Sequence, residues 1–175
     1  MNLYLMGYRG TGKTTVGRLL ADELGWKWID IDEVVQQNSG RAIADIFREQ
    51  GESGFRDLES LAVEHVAELS NHVVSLGGGA ILRPANRALM RASGKTIWLK
   101  ADPLTIMNRL SADEATATSR PNLTDQAGIA EIRQVLSQRE SIYAEMADWE
   151  IDTVQNRPDD IAAQIAAWLR GRTSV

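Results

Sequence analysis

A chain of 175 residues is long enough for one domain with a substantial core. Its formal net charge of −5 disfavours general binding to nucleic acid or to an anionic membrane surface. It has no cysteine, which excludes disulfides and thiolate metal sites and suits a reducing cytoplasm, and no apolar run approaches the ~20 residues of a membrane span.

Apolar runs alternate with helical patterns along the chain, which predicts βαβ units around a parallel sheet. Met1 to Met6 is too short for the apolar core of a signal peptide and leads into a glycine-rich motif, so Leu3–Met6 is expected as the first strand. Val16, Leu19, Leu20 and Leu24 then recur at helical spacing, with Gly25 placed as a C-terminal cap. Trp28–Ile31 is the second strand. Residues 32–61 carry helical patterns with no strand between them and are expected to form an excursion from the core. Within the helix after Gly51, Phe55, Leu58, Leu61, Ala62, Val66 and Leu69 are predicted to make one apolar stripe. Val73–Leu76 and Thr96–Leu99 are further strands, and Asp102-Pro103 has the form of an N-cap followed by proline at the first helical turn. Ile129, Ile132, Leu136, Ile142, Tyr143 and Met146 mark another helix. Trp149–Thr153 is a fifth strand, and Pro158 opens a last helix through Ile161, Ile165 and Leu169. Residues 111–125 are small and polar, a composition expected of a mobile surface segment and usable as a lid.

Gly7-Tyr8-Arg9-Gly10-Thr11-Gly12-Lys13-Thr14 fits G-x-x-x-x-G-K-[ST] in full. Glycines let the backbone turn its N–H groups inward at a helix N-terminus, which makes an anion cradle. Lys13 adds a mobile cation for the β- and γ-phosphates, and the Thr14 hydroxyl can ligate Mg²⁺. Its place between an apolar strand and an amphipathic helix strengthens the motif. It predicts ATP or GTP binding.

Three further features point to chemistry. Asp30 and Asp32 end the second strand two residues apart, so strand periodicity puts both on one face at the carboxyl edge of the sheet. The alternative is a strand-end turn in which one of them caps the next helix. Arg139 falls on the apolar stripe of its helix between Leu136 and Tyr143, and an inward charge must meet a carboxylate or a phosphate. Arg56 sits beside Phe55 with Glu59 three residues on as an orienting partner. For both arginines an internal salt bridge competes with a ligand role. Gly77-Gly78-Gly79 directly after the third strand permits close backbone approach at the same sheet edge. His65 and His72 lack clustered ligands, so a structural role is expected for both, as packing is for the five tryptophans.

Taken together these residues resemble the shikimate kinases, within the nucleoside-monophosphate-kinase-like group of P-loop enzymes. The resemblance spans nearly the whole chain. It is carried by the 7–15 loop, Asp-Ile-Asp at 30–32, Gly-Arg-Ala-Ile-Ala-Asp-Ile-Phe at 40–47 and Gly-Glu-Ser-Gly-Phe-Arg-Asp-Leu-Glu at 51–59. Ser-Leu-Gly-Gly-Gly-Ala at 75–80, Arg-Pro-Asn-Leu at 120–123 and Arg-Glu-Ser-Ile-Tyr at 139–143 complete it.

The resemblance implies a single domain over 1–175, a three-layer α/β/α sandwich with a five-stranded parallel sheet. Residues 32–61 would be its substrate-binding part and 111–125 its lid. It implies transfer of the ATP γ-phosphoryl group to the 3-hydroxyl of shikimate with Mg²⁺, in aromatic amino-acid biosynthesis, by a cytoplasmic monomer. ATP would lie on Gly10, Thr11, Gly12, Lys13, Thr14 and Thr15, with Arg109 and Gln155 near the adenine and Arg120 reaching over the phosphates. Thr14 and, through water, Asp30 would hold the metal. Asp32 would bind the shikimate hydroxyls and orient or deprotonate the one attacked, while Arg56, Arg139 and the Gly78–Gly79 backbone hold its carboxylate. Lys13, Asp32 and Arg120 would be the catalytic set. The chain departs from the family pattern at Asn122, where leucine is commoner, at Gln155, where some members have arginine, and in a longer segment before Arg120. The rival readings are another small-metabolite kinase, such as a gluconate kinase, and a nucleotide-binding module without catalysis.

Overall fold

A computed structural model describes residues 1–112 and 128–172. The chain runs β1 (Asn2–Met6), α1 (Lys13–Leu24), β2 (Lys27–Asp30), α2 (Ile31–Ser39), α3 (Ile43–Ala67) and β3 (His72–Ser75). A 3₁₀ turn (Ala80–Leu82), α4 (Pro84–Ser93), β4 (Gly94–Lys100) and α5 (Pro103–Ala112) follow. The remainder comprises α6 (Ile129–Met146), β5 (Trp149–Asp152) and α7 (Pro158–Arg172). The five strands form one parallel sheet in the order β2-β3-β1-β4-β5.

Strand periodicity divides the core between two layers. Tyr4, Met6, Val74 and Trp98 face a cluster that includes residues of α2, α3, α4 and α6. Their chain neighbours Leu3, Leu5, Val73, Ile97 and Leu99 face the other side, where α1 and α7 pack. Both faces are covered, so β1 is buried at every residue and reads as a continuous apolar run. This is the expected three-layer α/β/α sandwich. Trp149 and Trp168 stack across the second layer at 5.6 Å, and Trp98 stacks on Tyr143 at 5.3 Å in the first.

Local signals set several boundaries. Gly25 takes the left-handed conformation at φ 65° and returns its N–H to Ala21 and Asp22, which stops α1. Asp102 Oδ1 accepts the N–H groups of Leu104 and Thr105 at 2.9 and 3.0 Å, which starts α5. No strand interrupts α2 and α3, although α3 breaks at Gly51, where φ is 70° and ψ −174°. Two expectations need correction. Leu61 is 60% exposed, because the buried face of α3 runs through Phe55, Glu59, Ala62 and Val66, one residue out of phase with it. Asp32 is not on a strand: β2 ends at Asp30, whose Oδ1 accepts the Asp32 N–H at 2.9 Å and caps α2. Ser111 and Ala112 close α5, and the rest of the expected lid segment lies outside the described residues. Among the described residues no helix is long and apolar enough to cross a membrane. His65 is exposed and His72 begins β3, and no cluster of three metal-ligating side chains occurs among the described residues.

Asp148 locks β5 onto β4. Its carboxylate accepts from Lys95 Nζ at 2.8 Å and from the Thr96 N–H at 2.9 Å. Partial burial raises its pKa, but these bonds outweigh it and leave the group below the usual 3.8. A depressed carboxylate stabilises the fold above its unfolded pKa and loses that stabilisation as pH falls through the folded value. Asp148→Asn is therefore expected to cost about 1 kcal/mol at pH 7, allowing for solvent screening. The gap from wild type should close in urea unfolding measured at progressively more acid pH.

Candidate active site

The phosphate loop turns between β1 and α1 because three of its glycines adopt positive φ: Gly7 at 146°, Gly10 at 78° and Gly12 at 91°. A Cβ on Gly7 would stand 2.4 Å from the Leu99 carbonyl oxygen, so no other residue fits this exit from β1. Gly12 occupies the N-cap of α1 without a capping side chain, and the first turn carries no acid. The helix N-terminus is thus left for an external anion. Lys13 Nζ folds back on the loop, donating to the carbonyls of Gly7 at 2.9 Å and Tyr8 at 2.8 Å. Thr14 and Thr15 are exposed at the helix start, whereas the Thr11 hydroxyl turns inward to Tyr8 O at 2.8 Å.

A cavity of about 380 Å³ opens under the loop. Its walls bring together Gly10, Gly12, Lys13, Thr14, Thr15, Asp30, Asp32, Gly78 and Arg109 from four separate stretches of chain. Asp30 and Asp32 meet there although one caps a helix and the other lies in its first turn. Arg109 is braced from α5, donating to Gly10 O at 3.3 Å, Thr153 Oγ1 at 2.9 Å and Thr153 O at 2.8 Å. Gln155 does not join it. It lies exposed two residues beyond Thr153 and is not among the cavity's lining residues.

The glycine triplet forms a shelf beside this cavity. Arg139 Nη1 donates to Gly78 O at 2.9 Å, and the Tyr143 hydroxyl donates to the same oxygen at 2.8 Å. The Arg56 guanidinium packs flat against Gly79, where a Cβ would stand 2.3 Å from Cζ. Arg56 is also half of a buried ion pair, with Nη1 2.7 Å from Glu59 Oε2, and it reaches Glu52 Oε1 at 3.0 Å. Both readings of this arginine therefore hold in part. It is internally paired, yet three of its five N–H donors meet acids and two are left over. Burial works against the Arg56 charge, but Glu59 and Glu52 outweigh it and raise the pKa; burial likewise pushes the Glu59 carboxyl up against the pull of Arg56. Arg120 lies outside the described residues.

Some members of the site gave no periodic signal. Glu131, only 2% exposed, bridges α6 to the phosphate loop through Arg9 at 3.3 Å. Thr153 anchors Arg109, and Ser75 accepts the Trp28 indole N–H at 3.0 Å while donating to Lys13 O at 3.1 Å. Each acts through a long-range contact, and none stands out in its own sequence window.

Fold and cavity define a P-loop phosphotransferase, with a phosphate loop after the central strand and acidic and cationic groups facing it across one crevice. Residues 9–170 match the sequence profile described as shikimate kinase. A shikimate kinase of Rhodopirellula baltica is 44% identical over 94% of this chain and 88% of its own length. One of Symbiobacterium thermophilum is 40% identical over 98% of both chains. The solved structure of shikimate kinase from Acinetobacter baumannii in complex with shikimate superposes with a TM-score of 0.91 at 31% identity, covering 99% of this chain and 95% of that one. The chain belongs to the shikimate kinase family, and its activity is ATP-dependent phosphorylation of shikimate.

Breaking the buried pair at Glu59 leaves the Arg56 charge with only the exposed Glu52. Glu59→Ala is expected to lower the unfolding free energy by about 3 kcal/mol. Glu52→Ala, which removes a side chain already 57% exposed to solvent, should cost less than about 1 kcal/mol. Parallel denaturant titrations of the two variants check the ranking.

Proposed function

We propose that phosphoryl transfer to the 3-hydroxyl of shikimate takes place in the cavity under the phosphate loop, yielding shikimate 3-phosphate and ADP for aromatic amino-acid biosynthesis. One observation carries this reading: the phosphate loop, the Asp32 carboxylate and the Gly78 shelf border a single crevice, and Arg139 is bonded to that shelf through Gly78 O. In this scheme the loop N–H groups from Gly10 to Thr15 cradle the phosphates, and Lys13 exchanges its two carbonyl contacts for phosphate oxygens. Arg109 marks the nucleotide side. Arg139, Arg56 and the Gly78–Gly79 backbone take the shikimate carboxylate, which turns the ring's hydroxyls toward Asp32.

Asp32 accepts the proton as the acceptor oxygen bonds to the γ-phosphorus and the bond to the β-phosphate oxygen breaks. Thr14 and the Asp30 carboxylate are hard oxygen donors next to the phosphate cradle, a set that fits Mg²⁺ held largely by phosphates and water. Bound there, the ion would neutralise charge on the β- and γ-phosphates. Arg120 is assigned to the phosphates by its place in the family motif alone. Catalysis is then mostly positioning and charge neutralisation. The cytoplasmic setting, the monomeric state and the lack of nucleic-acid or membrane partners belong to the same proposal. Gluconate also carries a carboxylate, so the two arginines do not separate it from shikimate; the family match favours shikimate.

Coupled ADP release should be supported by shikimate and not by gluconate, nucleoside monophosphates or water. Lys13→Ala should cut kcat by about 10³-fold while shifting apo stability by no more than about 1 kcal/mol. Near-normal turnover in that variant would refute the phosphate assignment. An amide analogue of shikimate should bind more weakly than the acid by about 2–4 kcal/mol, and Arg139→Ala should erase most of that difference. Binding calorimetry with both ligands measures it.

A further inference from the structure

The Gly78 carbonyl is held twice. It accepts from Arg139 Nη1 at 2.9 Å and from the Tyr143 hydroxyl at 2.8 Å, which uses both of its lone pairs. The two donors differ in freedom. Arg139 is 8% exposed at the edge of the shelf and has further N–H groups on a flexible stem. Tyr143 is fully buried, one helical turn on, with its ring stacked on Trp98 at 5.3 Å, and cannot leave. A phenol has one proton to give, and here it goes to Gly78 O. Burial keeps that proton in place, with the phenol pKa pushed up to about 12.

We propose that Tyr143 is a positioning residue for the acid site: its hydroxyl secures the Gly78 carbonyl so that Arg139 can turn to the substrate carboxylate. This rests on the carboxylate-binding role given to Arg139 above. When the acid arrives, the guanidinium must redirect Nη1 or share it between the acid and Gly78 O. With Tyr143 in place the carbonyl stays satisfied, and releasing Arg139 costs little. Without the hydroxyl, the same release strands a half-buried carbonyl under the bound acid, and substrate binding bears that cost. The shelf also lies against the phosphate loop, since a Cβ on Gly78 would be in van der Waals contact with the Gly7 carbonyl at 3.5 Å.

Tyr143→Phe removes the hydroxyl and leaves the ring stack. The KM for shikimate is expected to rise about tenfold, with kcat and the KM for ATP within about twofold of wild type. In an Arg139→Ala background the same change should leave the shikimate KM unaltered, since there is no arginine to release. Incorporating 3-fluorotyrosine at 143, which keeps ring and hydroxyl, should restore the wild-type KM. A tenfold effect that persists undiminished in the Arg139→Ala background, or one shared equally by ATP, overturns the proposal. So does a fluorotyrosine enzyme as impaired as the Phe variant, which would trace the effect to packing. A Phe variant that loses its cooperative melt overturns it as well, by making the hydroxyl a requirement of folding. If Arg139→Ala itself leaves shikimate binding intact, the carboxylate assignment fails first; if only the Tyr143 effects are missing, that assignment stands and this one falls.

Discussion

Parallel hydrogen bonding of β1 to β3, with Leu5 opposite Ser75, aligns the carboxyl ends of two strands that are far apart in the chain. Open parallel sheets bind ligands at such ends, because the loops leaving adjacent strands face each other across a crevice. Here the loop leaving β1 is an anion cradle and the turn leaving β3 is a glycine shelf. A slip of one residue would turn every side chain of β3 to the other layer, so the register is held by both faces of the core at once. Ser75 adds a direct tie from β3 to the start of α1 through Lys13 O. The distance between the phosphates and the acid site is thereby a property of the sheet more than of either loop.

The second theme is how cations are kept beside a buried shelf. A guanidinium taken out of water is tolerated when partners replace its hydration, and the protein uses a different device for each arginine. Arg56 has Glu59, a fully buried carboxylate on its own helix. Arg139 has a neutral carbonyl, which makes it the less committed of the two. Arg9 is tied to Glu131 on α6, and Arg109 to Thr153 beyond β5. Helix α6 therefore touches both halves of the site, through Glu131 to the phosphate loop and through Arg139 and Tyr143 to Gly78. Movement at its N-terminal end would be felt at both.

The segments of the chain were legible because their signals are local. Apolar periodicity, the Gly25 stop, the Asp102-Pro103 start and the phosphate-loop spacing each depend on neighbours within a few residues. The family motifs extend that reach, since they carry the memory of contacts that no single window contains. Where two local signals conflicted, the sequence could not rank them. Asp-Ile-Asp fits a strand end and a helix cap equally well, and the buried Ile31 together with the Asp30 cap decided for the helix. Leu61 fits a helical stripe by hydropathy, but the phase of α3 is set by what Phe55 and Glu59 pack against.

By itself, then, the sequence determined that a strand–phosphate-loop–helix unit opens a parallel α/β domain, that carboxylates follow the second strand, and that Arg139 cannot lie on its helix without a partner. These follow from backbone geometry and from the cost of burying charge, which act at every position alike. Helical spacing already offered Glu59 to Arg56, but only the tertiary structure decided the distant partners: Gly78 O for Arg139, Thr153 for Arg109 and Glu131 for Arg9. The same holds for Tyr143, which reads as one more apolar position in the stripe of α6 until folding brings Gly78 to its hydroxyl. Those pairings join residues up to 122 apart in the chain, and such a contact has no signature until the sheet register and helix packing have set the distance.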